Sequence, residues 1–104
     1  MNLLSAMLVS LVAVVVPVNS ASADPAASRG AALANACAAC HGPDGRSRGA
    51  IPSIDNLSAE DFVSALKEFR AEARNGTVMN RIAKGLDDAE IGATAAYFAG
   101  RRAR

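Results

Sequence analysis

Two thiols and an imidazole stand together in the run Cys37-Ala38-Ala39-Cys40-His41. Cysteines three positions apart lie on one side of a helical turn, where each can add to one of a porphyrin's two vinyl groups. A histidine directly after the second cysteine then lies under the iron and offers it a ring nitrogen. C-x-x-C-H is the attachment signature of c-type haem. The pattern therefore implies one covalently bound haem c, with thioether bonds at Cys37 and Cys40 and with His41 as an axial ligand. A disulfide-exchanging Cys-x-x-Cys belongs beside a βαβ pattern, and none is visible. A structural zinc site needs four nitrogen or sulfur ligands, whereas the chain holds two Cys and one His in all. Coincidence is a poor account, because the only histidine falls at the one useful position.

An iron that exchanges electrons without binding or releasing water needs a second strong axial ligand. A second histidine does not exist. Met1 and Met7 lie in a leader described below, which leaves Met79 as the remaining methionine. A lone Met is often a core filler, but Asn75, Gly76, Thr77, Asn80 and Arg81 are polar or small company for a core position. Met79 is therefore read as the sixth ligand, with Lys84 or a vacant position as alternatives. Met/His ligation raises the iron's potential relative to two histidines.

The elements that must position these groups begin after residue 23. Leu3 to Val16 is an apolar stretch broken by Ser5 and Ser10, followed by Pro17 and Asn19-Ser20-Ala21-Ser22-Ala23. An apolar run ending in small residues reads as a secretory signal peptide over residues 1–23, cleaved after Ala23. The stretch is short for a bilayer span, which needs about 20 residues; an uncleaved anchor is the minor alternative, and no basic residue precedes the run. Export to the periplasm fits the thioether chemistry, which also removes the two thiols from the disulfide exchange of an oxidising compartment.

Residues 24–104 then form one small domain, with no internal repeat and one haem motif. It contains four aromatics (Phe62, Phe69, Tyr97, Phe98) and no Trp, a thin supply for a core of that size. A buried porphyrin would complete it, and the haem-free chain is expected to be largely unfolded. The formal net charge of +1 lacks the strongly basic face of a nucleic-acid binder.

Alanine-rich Ala26–Ala39 predicts a first helix ending at the haem motif. Gly30 within it is either a tolerated weak spot or the place where another helix crosses closely. Gly42-Pro43-Asp44-Gly45 predicts a turn, and residues 46–56 a loop long enough to wrap a cofactor. Ser58, with Asp61 three positions on, predicts the N-terminus of a helix over residues 59–74. That helix would carry an apolar face of Phe62, Ala65, Leu66, Phe69 and Ala73 and stop at Asn75-Gly76. Met79 lies in the connection that follows, with a short turn over Asn80–Lys84 closed by Gly85. Asp87 and Glu90 predict a capping box opening a last helix on Ile91, Ala95 and Phe98, frayed over residues 100–104. No stretch alternates with period two long enough for a strand, so the class is all-α.

With Cys37-Ala38-Ala39-Cys40-His41-Gly42 and Met79 in place, the chain resembles the small class I c-type cytochromes. The resemblance implies three main helices and a short turn wrapped around one covalently bound haem. It implies that Gly30 meets an aromatic of the last helix, Tyr97 or Phe98, and that the carbonyl of Pro52 accepts the Nδ1–H of His41, orienting the ring. Cys40-His41-Gly42-Pro43-Asp44-Gly45, Ile51-Pro52-Ser53-Ile54 and residues 77–85 are similar to the cytochrome subunit of flavocytochrome c sulfide dehydrogenase. In that branch a flavin-bearing partner oxidises sulfide and the cytochrome accepts its electrons, so the chain would perform no bond chemistry itself. Leu86 stands where the branch commonly has an aromatic.

Three readings follow. The first is the electron-accepting haem subunit of a periplasmic sulfide dehydrogenase, with a flavoprotein partner, a downstream electron acceptor and no stable membrane insertion of the mature chain. The second is a free-standing carrier or the haem subunit of another dehydrogenase, such as a sulfite-oxidising one. The third is a haem sensor or peroxidase with an open iron, against which Met79 speaks. Arg81, Lys84 and the Arg101–Arg104 tail would supply a docking rim, or the tail is a solvated surface that frays.

Overall fold

A computed structural model describes residues 11–20 and 22–104; the first ten residues of the expected leader, and Ala21 within it, lie outside them. Residues 11–20 carry no helix or strand and expose their apolar side chains, Leu11 at 90% and Val15 at 86%. The described residues form four helices and no strand: α1 (Pro25–His41), α2 (Ala59–Arg70), α3 (Met79–Lys84) and α4 (Asp88–Arg102), with a 3-10 turn at Pro43–Gly45. Three long helices and one short one match the expected plan. No helix among the described residues is long and apolar enough to cross a membrane.

Three of the four helices, α1, α2 and α4, start where a side chain can satisfy a free amide. Asp24 accepts the N–H of Ala26 at 3.0 Å, with Pro25 at the first helical position, where a missing N–H costs nothing. Ser58 accepts the N–H of Asp61 at 3.0 Å. Asp87 and Glu90 make the full reciprocal box, each side chain bonding the other's amide.

The ends differ more from expectation. α1 continues two residues past Ala39, so the C-x-x-C-H run is helical throughout, and it stops at Gly42, whose φ of 90° lies outside the right-handed region. α2 ends at Arg70 rather than residue 74, leaving Ala73 exposed. Glu72 takes the left-handed conformation (φ 59°), its N–H bonds Phe69 O, and the N–H of Ala73 bonds Glu68 O. That is a Schellman cap, built on a non-glycine residue at a cost of about 1 kcal/mol. The Lys84 ammonium, ion-paired to Glu72, helps to hold it. α3 begins one residue early, so Met79 is its first residue rather than part of a loop. α4 runs through Gly100 to Arg102 instead of fraying.

The core is thin. Seven apolar side chains are buried among the described residues: Ala34, Phe62, Leu66, Ala83, Ile91, Ala95 and Phe98. Three are alanines. The Phe62 and Phe98 rings join α2 to α4 at a centroid distance of 5.5 Å, and Tyr97 meets Phe98 edge-on at 5.5 Å. α1 packs chiefly against α4. Their crossing is close at Gly30, where an added Cβ would stand 2.4 Å from the carbonyl oxygen of Ala93. Gly30 thus marks a helix crossing, and its nearest neighbour is the backbone of Ala93, one turn before the expected Tyr97. Arg29 and Glu90 clasp the same pair of helices through an ion pair.

Candidate haem centre

Cys37, Cys40 and His41 lie on the last turn and a half of α1. Both thiols are free, Cys37 half-buried and Cys40 exposed. Burial pushes the Cys37 thiol up from its ordinary value, and the neighbouring Cys40 adds to the effect. Left unmodified, Cys37 therefore favours the neutral thiol. His41 is buried, and its Nδ1 lies 2.6 Å from the carbonyl oxygen of Pro52. A carbonyl can only accept, so Nδ1 carries the proton and Nε2 keeps its lone pair for a metal.

The backbone after α1 is shaped to deliver that carbonyl. Gly42 turns the chain where a Cβ would strike Arg46 O at 2.0 Å. Gly45 (φ 79°) is buried, and a Cβ there would meet the Phe98 ring at 2.8 Å. The loop then returns on itself: the N–H groups of Ile54 and Asp55 donate to Gly45 O at 2.8 and 3.2 Å, and the N–H of Ser47 donates to Ser53 Oγ at 2.9 Å. Pro52 is thereby held eleven positions from the ring it touches.

Met79 is half-buried and packs, like Cys37, against the same buried cluster. Apolar surface lies uncovered beside both candidate ligand regions: Ile51 next to Pro52 at 44% exposure, Val78 next to Met79 at 57%, and Ile82 one turn beyond Met79 at 44%. A cleft of about 330 Å³ opens beside Cys40, walled by Ala39, Pro43, Ser47, Ala50 and Ile51. The residues fit a haem. Two free thiols, an imidazole whose Nδ1 proton is held by Pro52 O and a half-buried thioether are donors of the kinds a c-type haem would take, and a bound porphyrin could shield apolar side chains such as these.

The structure also gives partners to residues for which the sequence names none. Arg101, in the expected fraying tail, pairs with Asp44 at 2.7 Å and lies 5.4 Å over the Tyr97 ring. Arg102 donates to Asn56 O at 3.1 Å. The end of α4 thus anchors both ends of the loop that carries Pro52. Arg70 donates to Leu86 O at 3.1 Å and to Asp88 at 2.6 Å, joining α2 to the start of α4. Thr94, 1% exposed, returns its hydroxyl to Glu90 O at 2.8 Å. Apart from the contacts within α4, Thr94 with Glu90 and Arg101 with Tyr97, none of these pairings has a signal in sequence spacing, since each partner is set by the tertiary fold. Of the proposed docking rim, Lys84, Arg101 and Arg102 are engaged within the chain, while Arg81 is exposed.

The family model for cytochrome c matches residues 27–100, from the first turn of α1 to the last of α4. The chain belongs to the cytochrome c family. This cytochrome is an electron-transfer protein that carries covalently attached haem c, and residues 1–104 hold one C-x-x-C-H run. Over 71 residues it is 48% identical to the cytochrome subunit of sulfide dehydrogenase of Chlorobaculum tepidum, covering 68% of this chain and 64% of that relative. It is 38% identical to cytochrome c-554(548) of Halomonas halodenitrificans, covering 60% of this chain and 80% of the relative. A thiosulfate dehydrogenase electron acceptor of Stutzerimonas stutzeri is 38% identical over 65 residues, 61% of this chain and 30% of that protein.

Proposed function

We propose that this cytochrome is the electron-accepting haem subunit of a sulfide dehydrogenase, exported to the periplasm after loss of residues 1–23. Cys37 and Cys40 hold the haem, and His41 Nε2 and the Met79 thioether ligate its iron. A flavoprotein subunit is its donor. When bound, the haem supplies reversible one-electron exchange at the iron. The chain's own residues set the terms of that exchange. Pro52 O holds the Nδ1 proton of His41, which keeps the ring aligned and makes it a better donor to the metal. Met79 favours the ferrous state relative to a second imidazole. Ile51, Val78 and Ile82 keep water from the edge they cover.

The observation that carries the sulfide assignment is the 48% identity to the Chlorobaculum tepidum subunit, together with the runs around His41, Pro52 and Met79. The exposed apolar side chains of residues 11–18 support a leader outside the fold. Purification of the native protein tests both points. A flavoprotein that co-elutes, with haem reduction on addition of sulfide, is the expected result, and the intact mass begins at Asp24. A cytochrome that elutes alone and is not reduced by sulfide in its cell extract overturns the subunit assignment.

The Halomonas halodenitrificans relative, 80% of which is matched, favours a second reading, the free-standing carrier. The two readings part on the same column. Rapid binding of carbon monoxide by the ferrous protein would instead mark an open iron.

A further inference from the structure

α3 is six residues long, with Val78 at its N-cap and no side-chain cap. Helices this short do not hold themselves, so the placement of Met79, its first residue, must come from outside. The next side chain supplies it. Asn80 Oδ1 accepts the N–H of Gly76 at 2.9 Å, and its Nδ2 donates to Arg74 O at 2.8 Å and to Phe69 O at 3.0 Å. Both amide protons and one oxygen lone pair are used. Reversing the amide would set N–H against N–H and carbonyl against carbonyl, so only this orientation satisfies the three groups. One of them, Phe69 O, also accepts the N–H of Glu72 at 3.2 Å in the cap of α2, so Asn80 takes its second lone pair and ties itself to that cap.

The loop is fitted to this clasp. Gly76 lies against the Phe69 ring, where a Cβ would stand 2.9 Å from a ring carbon and 3.4 Å from Asn80 Oδ1. Arg74 lies over the same ring, its guanidinium 5.5 Å from the centroid and paired to Glu68 at 2.7 Å.

We infer that Asn80 is the positioning residue for Met79: its amide locks the end of α2 and the loop over residues 71–78 to the start of α3, and so holds the thioether as an axial ligand. The inference rests on the assignment of Met79 as that ligand. Without the clasp, α3 keeps its buried Ala83 and the Lys84–Glu72 ion pair but loses the bonds nearest the ligand, and an external base competes better for the iron.

Titration of the ferric haem protein with imidazole tests this. Asn80→Ala raises the apparent affinity for imidazole about tenfold, the size of one to two net hydrogen bonds. It also weakens the long-wavelength sulfur-to-iron absorption well below the unfolding temperature. Asn80→Asp keeps the acceptor for Gly76, loses both donors and behaves the same way. Lys84→Ala, which cuts only an exposed ion pair between the same elements, changes the affinity at most about threefold. Unchanged imidazole affinity in Asn80→Ala, or wild-type affinity in Asn80→Asp, overturns the inference. A measurement on the unaltered holoprotein serves if a variant does not fold. The Gly76 amide, in an exposed loop, exchanges with solvent at least about tenfold more slowly than a free amide when Asn80 Oδ1 holds it; the free rate refutes the clasp. Met79→Ala separates the two claims. If it leaves imidazole affinity unchanged, the ligand assignment itself falls; if it raises affinity where Asn80→Ala does not, only the positioning role falls.

Discussion

Replacing Gly30 by Ala adds one carbon at the crossing of α1 and α4. That carbon would lie 2.4 Å from the carbonyl oxygen of Ala93 and 2.8 Å from its carbonyl carbon, where ordinary contact starts at 3.4 Å. The obstacle is backbone, so no side chain can swing away. The helices must separate by about 1 Å, and α4 carries the buried Thr94 and Ala95 directly after Ala93. Overpacking of this kind costs about 3 kcal/mol at the upper end of its usual range. Against it stands a gain of about 1 kcal/mol from removing a helical glycine. The net is a loss of about 2 kcal/mol, which for a domain of this size lowers Tm by roughly 10 °C. Gly92 in α4 is the control, since an added Cβ there meets nothing within 4 Å; Gly92→Ala should raise stability by about 0.5–1 kcal/mol. Thermal unfolding of the ferric holoprotein by far-UV circular dichroism reads both. Equal stabilisation by the two substitutions would refute the argument from the crossing.

Loss of the reciprocal cap at α4, through Asp87→Ala, lowers unfolding stability by about 1 kcal/mol, read as a shift in denaturant midpoint; no shift would mean the box contributes nothing. Asp88 and Glu90 are held below their usual carboxylate range, chiefly by hydrogen bonds from Arg70 and Arg29 respectively. Depressed folded values give stability that is present above the unfolded carboxylate pKa and lost as pH falls through the folded one. Tm should therefore hold steady above about pH 5 and decline below about pH 4, and the decline should be shallower in an Arg29→Ala/Arg70→Ala double variant. An identical acid slope in that variant would rule these pairs out as its cause. Finally, Cys37→Ala/Cys40→Ala, made without covalent haem, should show no cooperative thermal transition, because the seven apolar side chains buried among the described residues, three of them alanine, form too small a core alone. A sharp transition in that apoprotein would contradict the dependence on the cofactor.

What could be read from the sequence was chemistry with local partners. The haem motif, the Ser58 cap and the Asp87–Glu90 box each join residues within four positions, and the starts of α2 and α4 follow from the last two. The helix stops were less legible. Asn75-Gly76 resembles a terminator, yet the left-handed residue that ends α2 is Glu72; Gly76 is small to admit the Phe69 ring, a requirement visible only in three dimensions. The C-terminal arginines read as a solvated tail because Asp44 and Asn56, which hold them, lie 57 and 46 positions away. Gly30 was recognisable as a place of close approach, but the partner, Ala93, depends on where α4 crosses. The His41–Pro52 contact came through family resemblance, since nothing in the local spacing places a carbonyl eleven residues on beneath an imidazole.

The account depends most on a haem bonded through Cys37 and Cys40. Intact-mass spectrometry of the native protein after denaturation and acidified organic extraction tests this directly. The account predicts that the colour stays with the polypeptide and that its mass exceeds that of residues 24–104 by one haem. Pigment in the organic phase, with a bare chain left behind, would contradict it.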